Sequence, residues 1–227
     1  MTQIDAPSYT PTARTTPSRY RERATYDRAA VHAVLDEALV CHVGLIRDGA
    51  PVVLPTLHAR IGDTLYVHGS TGGRFAMLDG EHLSVTVTLI DGLVLARSWM
   101  HHSAAYRSVV IHATARLVTD EQERWNAMEG LIDHVAPGRP ADTRPPSRRE
   151  LAQTAIIALA LEEVSLKQRG PLVADDPDDL DSDYWAGTIP LRLTPGAPIP
   201  SADLRPGIEM PDNLVGYTRE PASTTAG

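Results

Sequence analysis

Two polar segments contain the residue types that bind a phosphate group. The first, residues 68–77 (HGSTGGRFAM), combines hydroxyl groups, glycine amides and an arginine at a predicted helix start. Such donors at a helix N-terminus favour a phosphate dianion. In the second, residues 100–117, a polar turn with Arg107 and Ser108 leads into an alternating strand. These segments predict a phosphate-bearing cofactor on a β-rich scaffold, and the donors expected in the first are Ser70, Thr71, Gly73 and Arg74.

Composition excludes several classes of protein. The chain has 227 residues, a formal net charge of −8 and a single cysteine, Cys41. The negative charge argues against a general nucleic-acid-binding protein. One cysteine excludes an internal disulfide and is typical of a reducing cytoplasm. The longest apolar run, residues 155–161, is too short to span a membrane. We therefore expect a cytoplasmic protein that binds neither nucleic acid nor membrane.

Hydrophobic periodicity predicts the elements that must position these donors. Asp91-Gly92 is expected to form a hairpin turn, and Ser147 with Glu150 matches a helix capping box. Helices are predicted at residues 26–39, 119–135 and just after 147, and strands at residues 40–46, 51–61, 64–68, 84–89, 93–99, 109–118 and near 156–167.

This pattern predicts one domain between two tails. Residues 1–24 are expected to form a flexible arm because they are rich in proline, threonine and arginine. Residues 194–227 are rich in proline and glycine and are expected to wrap the surface or be disordered. Residues 25–193 then form a mainly β domain, a small barrel of six or seven strands with two or three flanking helices.

A series of short motifs occurs in a fixed order across most of the chain. They are Tyr26-Asp27-Arg28, Leu35-Asp36-Glu37-Ala38, Cys41-His42-Val43-Gly44, Pro55-Thr56, Leu65-Tyr66-Val67-His68-Gly69-Ser70, Leu95-Ala96-Arg97-Ser98, His102-Ser103, Tyr106-Arg107-Ser108-Val109-Val110, Lys167-Gln168-Arg169-Gly170 and Trp185-Ala186-Gly187-Thr188-Ile189-Pro190. Their order resembles the pyridoxamine 5'-phosphate oxidase-like FMN-binding split barrels, and in particular the nitroimidazole-resistance (Nim-type) branch.

The resemblance implies a fold, a cofactor and an assembly. It implies an FMN-binding split barrel that forms a homodimer, with two cofactor sites at the interface. The loop at 70–74 would contact the FMN phosphate, and the backbone near Pro55 would face the flavin ring while Thr56 bonds to the ring edge. The segment around Trp185 would close over the cofactor of its own or the partner subunit. The implied FMN-binding residues are Pro55, Thr56, His68, Ser70, Thr71, Gly73, Arg74, Tyr106, Arg107, Ser108 and Trp185.

The predicted function is that of an FMN-binding oxidoreductase that reduces a small organic acceptor, with NAD(P)H as a candidate electron donor. His102 is the candidate catalytic residue because an imidazole beside the flavin can donate to its developing charge. A genuine pyridoxamine phosphate oxidase is not expected, since no Arg-x-His motif follows Trp185. Open alternatives are a non-enzymatic flavin-binding or sensor protein, a haem-binding split barrel with a histidine ligand, and a deazaflavin-using reductase. No Cys/His spacing predicts a zinc site.

Overall fold

The computed structural model describes residues 7–218, except for the side chain of Arg74. Within that range the α-helices are α1 (Arg28–Glu37), α2 (Glu121–Val135) and α3 (Arg148–Ala152). The strands are β1 (Ala24–Thr25), β2 (Val40–Arg47), β3 (Ala50–Ile61), β4 (Thr64–Ser70), β5 (His82–Leu95), β6 (Ser103–Thr114), β7 (Arg116–Leu117), β8 (Thr154–Ala160), β9 (Glu163–Arg169) and β10 (Gly187–Pro190).

All ten strands join one antiparallel sheet that curls around its own core. Their order is β1-β9-β6-β5-β2-β3-β4-β8-β7, and β10 pairs with the end of β5. Strands from both halves of this order share one apolar cluster, for example Val164 of β9 and Leu159 of β8. Because the order has two ends, β1 and β7, the barrel is open between them. The predicted mainly β architecture with peripheral helices is confirmed.

The expected hairpin at Asp91-Gly92 is wrong, because β5 continues from His82 to Leu95. Its pairing with β6 instead shifts register between Ile90 and Gly92, as in a β-bulge. The Asp91 carboxylate is fixed there by Arg107, whose Nε and Nη2 donate to it at 2.9 and 2.7 Å. The turn-forming residues therefore deform one long strand without ending it.

The prediction of a single strand near residues 156–167 is also wrong, since this region forms both β8 and β9. The chain reverses after β8, where the Leu161 amide donates to the Asp63 carbonyl at 2.9 Å. The predicted capping box is confirmed, since Ser147 and Glu150 form it ahead of α3. The Asp27 carboxylate caps α1 by accepting from the Ala30 amide at 2.8 Å.

The expectation of a flexible arm at residues 1–24 needs correction for the described part, residues 7–24. Tyr9 is 3% exposed and belongs to the main core cluster. Its hydroxyl lies 3.0 Å from His32 Nε2, and the Arg28 guanidinium lies 4.3 Å from its ring centroid. Arg14 forms an ion pair with Glu163 of β9. The arm is therefore part of the barrel wall, and one aromatic side chain fixes it there.

Replacing Tyr9 with alanine is expected to lower the free energy of unfolding by about 3 kcal/mol, because it removes a fully buried aromatic side chain. Urea unfolding followed by circular dichroism measures the change. Tyr20→Ala is the matched control, since Tyr20 lies in the same arm but is 48% exposed. Equal stability of the two variants would contradict a docked arm.

The described part of the C-terminal tail wraps the surface. It returns to the end of α2, where the Tyr217 hydroxyl donates to the Val135 carbonyl at 2.7 Å. Asn213 Nδ2 donates to the Pro137 carbonyl at 2.9 Å. None of the helices within residues 7–218 is long and apolar enough to cross a bilayer.

Candidate functional site

A cavity of about 840 Å³ lies between α2 with its following loop and the outer face of the sheet. This α2 cavity has the size and the mainly apolar lining of a site for an organic ligand. Helix α2 packs its Ala127 side against Tyr66 and Ile156 on the β4–β8 face. Its other apolar side chains extend beyond that contact. The helix contributes Trp125, Met128, Ile132 and Val135, the sheet contributes Leu57 and His68, and the tail contributes Leu214.

His68 is the polar group of the sheet that faces the α2 cavity. It lies on β4 two residues after Tyr66, and side chains two apart on a strand share a face. Its Nδ1 is buried and has no hydrogen-bond partner in the described part of the chain. Burial lowers the pKa of this histidine below its ordinary value. The imidazole is therefore neutral near pH 7, and Nε2 is the nitrogen that a ligand in the cavity could reach, because Nδ1 is shielded from solvent.

Cationic side chains border the same cavity. Arg139 and Arg144 belong to its lining, together with Glu150. The Arg144 Nη1 and Nη2 groups donate to the Glu150 carboxylate at 2.9 and 2.8 Å. This contact and the Ser147 amide lower the pKa of Glu150 to about 2. Arg144 is thus already paired with a carboxylate, whereas the Arg139 guanidinium forms no hydrogen bond or ion pair within residues 7–218 and suits a carboxylate of an anionic ligand.

The predicted phosphate loop has a different local structure from the one expected. The segment from Arg74 is a four-residue 3-10 turn, Arg74–Met77, so no α-helix dipole points at the loop. The amides of Thr71 and Gly73 donate to the carbonyls of Gln153 and Ser70 at 2.9 and 2.8 Å. The Thr71 hydroxyl also donates to Gln153, at 3.2 Å. These donors are therefore engaged within the chain, and the prediction for Arg74 falls on a side chain that the structure does not describe.

The Tyr106-Arg107-Ser108 motif lies inside β6, where a turn was expected. Arg107 is 18% exposed and forms ion pairs with Glu37 at 2.5 Å and Asp91 at 2.7 Å. These bonds raise the pKa of its guanidinium. A phosphate would have to displace a carboxylate to reach it. Ser108 points to the opposite face, where its hydroxyl lies 2.9 Å from that of Thr88.

Pro55 and Thr56 are adjacent on β3 and point to opposite faces of it. Pro55 is exposed and pairs with His42, whereas Thr56 pairs with the fully buried Cys41. Directly opposed residues of an antiparallel pair share a face. The Thr56 side chain therefore points to the barrel interior, so a flavin on the outer face would meet Pro55 and the backbone of Thr56.

His102 and Trp185 lie near the C-terminal end of β5, whereas Pro55 and Thr56 lie level with the first half of that strand. The His102 side chain is exposed, and its Nδ1 lies 2.9 Å from the Ser98 carbonyl oxygen. Trp185 is 69% exposed and packs over Gly187, where a Cβ atom would come within 2.7 Å of the indole. The structure brings His68 and the Ser70–Gly73 loop together on β4, but it does not place His102 or Trp185 beside them within one chain.

The sequence-based interpretation missed the α2 cavity. It predicted a helix at residues 119–135 from the helical spacing of apolar residues, which is equally typical of a fully packed helix face. In the structure Ala127 and Leu131 are buried, whereas Trp125 and Ile132 are 36% and 41% exposed. The signal available in the sequence was that the apolar stripe of α2 is wider than the surface it packs against. His68 was in the predicted set, but as a neighbour of the phosphate loop.

Two solved structures are similar to nearly the whole chain. The flavocytochrome Anf3 from Azotobacter vinelandii is 36% identical, with a TM-score of 0.87 over 92% of this chain and 98% of that chain. An FAD and heme binding protein from Mycobacterium smegmatis is also 36% identical, with a TM-score of 0.82 over 86% of this chain and 97% of that chain.

More distant similarity extends to the fold of the nitroimidazole-resistance proteins. A Bacteroides thetaiotaomicron protein named for 5-nitroimidazole antibiotic resistance is 19% identical, with a TM-score of 0.53 over 63% of this chain and 85% of that chain. The sequence profile described as pyridoxamine 5'-phosphate oxidase matches residues 27–168. No curated protein has significant sequence similarity to the chain.

Proposed function

Because the chain belongs to the pyridoxamine 5'-phosphate oxidase family, we propose that it is a flavin-binding redox protein that also binds haem. The observation that carries the haem part is the α2 cavity with the His68 imidazole in its wall, whose accessible nitrogen is Nε2 because Nδ1 is shielded from solvent. The two relatives at 36% identity support both cofactors, since one is a flavocytochrome and the other an FAD and heme binding protein.

The residues of the α2 cavity fit a haem. Its volume of about 840 Å³ and its apolar wall from α2 suit a flat macrocycle. The neutral imidazole of His68 would be the iron ligand, and Arg139 at the opening would bind a propionate, whereas Arg144 would have to exchange its contact with Glu150 to bind the other. Haem, when bound, supplies one-electron chemistry. The protein would supply the ligand, the orientation and an environment with little water.

The flavin is proposed to lie on the outer face of β2 and β3. This face carries Pro55 and His42, and several of its apolar side chains are exposed, among them Val53 at 63% and Ile46 at 65%. The Ser70–Gly73 loop at the end of β4 would contact the phosphate, as the sequence predicts. That contact requires the loop donors to exchange internal bonds for phosphate oxygens. We retain FMN as the sequence-based prediction, and the name of the mycobacterial relative makes FAD the competing identity.

The reaction proposed is flavin-mediated reduction of a small acceptor, with NAD(P)H as donor and a homodimer as the working unit. A flavin accepts hydride and passes on electrons singly or in pairs, which suits a protein with a second, one-electron cofactor. His68 and Ser70 are two residues apart on β4, so the two proposed sites would share that strand. A non-enzymatic flavin-binding sensor is the competing function.

The absorption spectrum of the protein, purified after expression with riboflavin and a haem precursor supplied, tests the proposal. We expect flavin bands and a Soret band, each at close to one cofactor per chain. Denaturation should release both, and chromatography of the released flavin separates FMN, FAD and deazaflavin. Anaerobic mixing with NADH or NADPH should bleach the flavin bands. A spectrum without flavin and without haem overturns the proposal, and bound flavin that no nicotinamide reduces favours the sensor.

A further inference from the structure

The C-terminal tail crosses one end of the α2 cavity of its own chain. It forms the 3-10 turn Asp212–Leu214 there, and Leu214 belongs to the cavity lining together with Val135 and Arg139. We call residues 211–217 the tail lid. It covers the cavity where α2 ends, beside the Arg139 guanidinium that is unpaired within residues 7–218. A ligand that fills this end of the cavity therefore meets the tail lid.

Two side-chain hydrogen bonds hold the tail lid on the molecule. Asn213 Nδ2 donates to the Pro137 carbonyl at 2.9 Å, and the Tyr217 hydroxyl donates to the Val135 carbonyl at 2.7 Å. The Val135 carbonyl is among the last four of α2, which have no partner within the helix. Asn213 also lies against Gly138, where a Cβ atom would come within 3.2 Å of Nδ2. The tail lid is thus attached to the turn that follows α2.

Little else keeps the tail lid closed. None of residues 191–218 is buried, and the exposed fractions of Val215 and Ile199 are 61% and 92%. Closure also shields Asn213 Oδ1, which has no hydrogen-bond partner in the described part of the chain. A shielded oxygen without a donor costs free energy that water restores on opening. Since segments with few buried contacts open locally, the lid can open while the barrel stays folded.

We propose that the tail lid controls the entry and release of the ligand of the α2 cavity. The lid retains the ligand when the hydrogen bonds of Asn213 and Tyr217 close it, and lets the ligand pass when they break. The apolar wall and Arg139 suit an apolar, anionic ligand, and the proposal rests on the proposed function only for identifying that ligand as haem. By linkage, a ligand that the closed lid retains must also keep the lid closed.

The rate of haem release tests the tail lid. Asn213→Asp turns the donating amide into an acceptor, and Tyr217→Phe removes the hydroxyl. Each change should raise the rate of haem transfer from the ferric protein to apomyoglobin about fivefold, and the double variant at least about tenfold, because each removes one hydrogen bond. Ile199→Ala is the matched control, since its side chain is exposed in the same tail. It should release haem at the wild-type rate.

A disulfide that locks the tail lid should have the opposite effect. A Cβ atom on Gly138 would lie 3.5 Å from Asn213 Cβ, which is within the range of disulfides. Oxidation of Gly138→Cys/Asn213→Cys should therefore form a bridge and slow haem release at least about tenfold. Gly138→Cys/Asn213→Ser is the control, because it replaces the same positive-φ glycine without a bridge. Cys41 does not compete, since it is fully buried and burial raises the pKa of its thiol to about 12.

Hydrogen exchange read by mass spectrometry follows the lid itself. The amides of Leu214, Val215 and Tyr217 donate to carbonyls within residues 211–217, so they exchange when this segment opens. Bound haem should slow exchange in this segment. Residues 194–200 form no helix or strand and are the control, because their exchange should not respond to haem.

Three results would overturn the proposal. The first is a haem release rate that neither the hydrogen-bond variants nor the disulfide changes. The second is a bridge between positions 138 and 213 that does not form in the folded protein. The third is lid exchange that bound haem does not slow.

A second probe separates the tail lid from the proposed function. Anilinonaphthalenesulfonate is apolar and anionic but has no iron to be ligated. Energy transfer from Trp125, absent in Trp125→Phe, identifies dye bound in the cavity, since Trp125 belongs to the lining. If haem does not bind, the haem part of the proposed function fails, and the release rates of the dye in the same variants still decide whether the lid acts. A cavity that binds neither probe overturns the lid as well.

Discussion

His68→Ala is expected to remove the Soret band from the purified protein and to leave its flavin bands in place. His68 is a half-buried histidine in the wall of the α2 cavity, and its shielded Nδ1 has no hydrogen-bond partner among residues 7–218, which leaves Nε2 for a ligand. Without an iron ligand, only apolar contacts and the arginines at the opening would retain the macrocycle. We expect haem occupancy to fall by at least about tenfold, a typical cost of losing a metal–ligand contact.

His82→Ala is the matched control, because His82 is an exposed strand histidine outside the cavity, 3.0 Å from the Thr114 hydroxyl. It should keep full haem occupancy. His68→Gly supplied with free imidazole should regain the Soret band, which separates lost ligation from misfolding. A His68→Ala protein that still binds one haem per chain would remove His68 from the site.

Arg107→Ala is expected to lower the free energy of unfolding by about 3 kcal/mol, because it leaves two carboxylates of a half-buried cluster without their cation. The guanidinium donates to both oxygens of Glu37, at 2.5 and 2.9 Å, and to both oxygens of Asp91. It joins the end of α1 to the bulge in β5 and to β6. Lysine should restore only part of the loss, since a single ammonium group cannot form two bidentate contacts.

Urea unfolding followed by circular dichroism, at fixed protein concentration, measures this change. Arg47→Ala removes an exposed ion pair with Asp48 and should leave the midpoint unchanged. If Arg107→Ala were as stable as the wild type but bound flavin more weakly, the ion pairs would be incidental. The phosphate role predicted from the sequence would then be the correct one.

Most of the fold could be predicted because its signals are local. Alternating strands, the helix predicted at residues 26–39 and the Ser147–Glu150 capping box depend on neighbouring residues, and the structure confirms them. The errors occur where a distant residue decides the local structure. Asp91-Gly92 has the composition of a turn, but Arg107 from β6 holds it in a bulge. Tyr9 lies in a segment typical of disorder, but its ring is buried in the core.

The candidate site was predictable only in part for the same reason. His68 was found because it lies beside a recognisable loop in the sequence. The α2 cavity was not predicted, because a cavity forms where side chains have no packing partner. The spacing of Trp125 and Ile132 is the same as in a helix that is fully packed in a core. The charges that engage Arg107 come from α1 and β5, at residues 37 and 91. No local pattern connects these residues before the chain folds.

The placement of the tryptophans determines what intrinsic fluorescence can report. Trp99, Trp125 and Trp185 are the tryptophans of the chain, and each lies outside the buried core. Trp99 and Trp185 are already mostly in water and Trp125 is only partly shielded, so unfolding would shift the emission little and such a shift is a poor measure of stability in this protein. The same emission would respond strongly to whatever covers these rings. Quenching of Trp125 would report a ligand that absorbs in the cavity, and a blue shift of Trp99 would report a subunit that buries it.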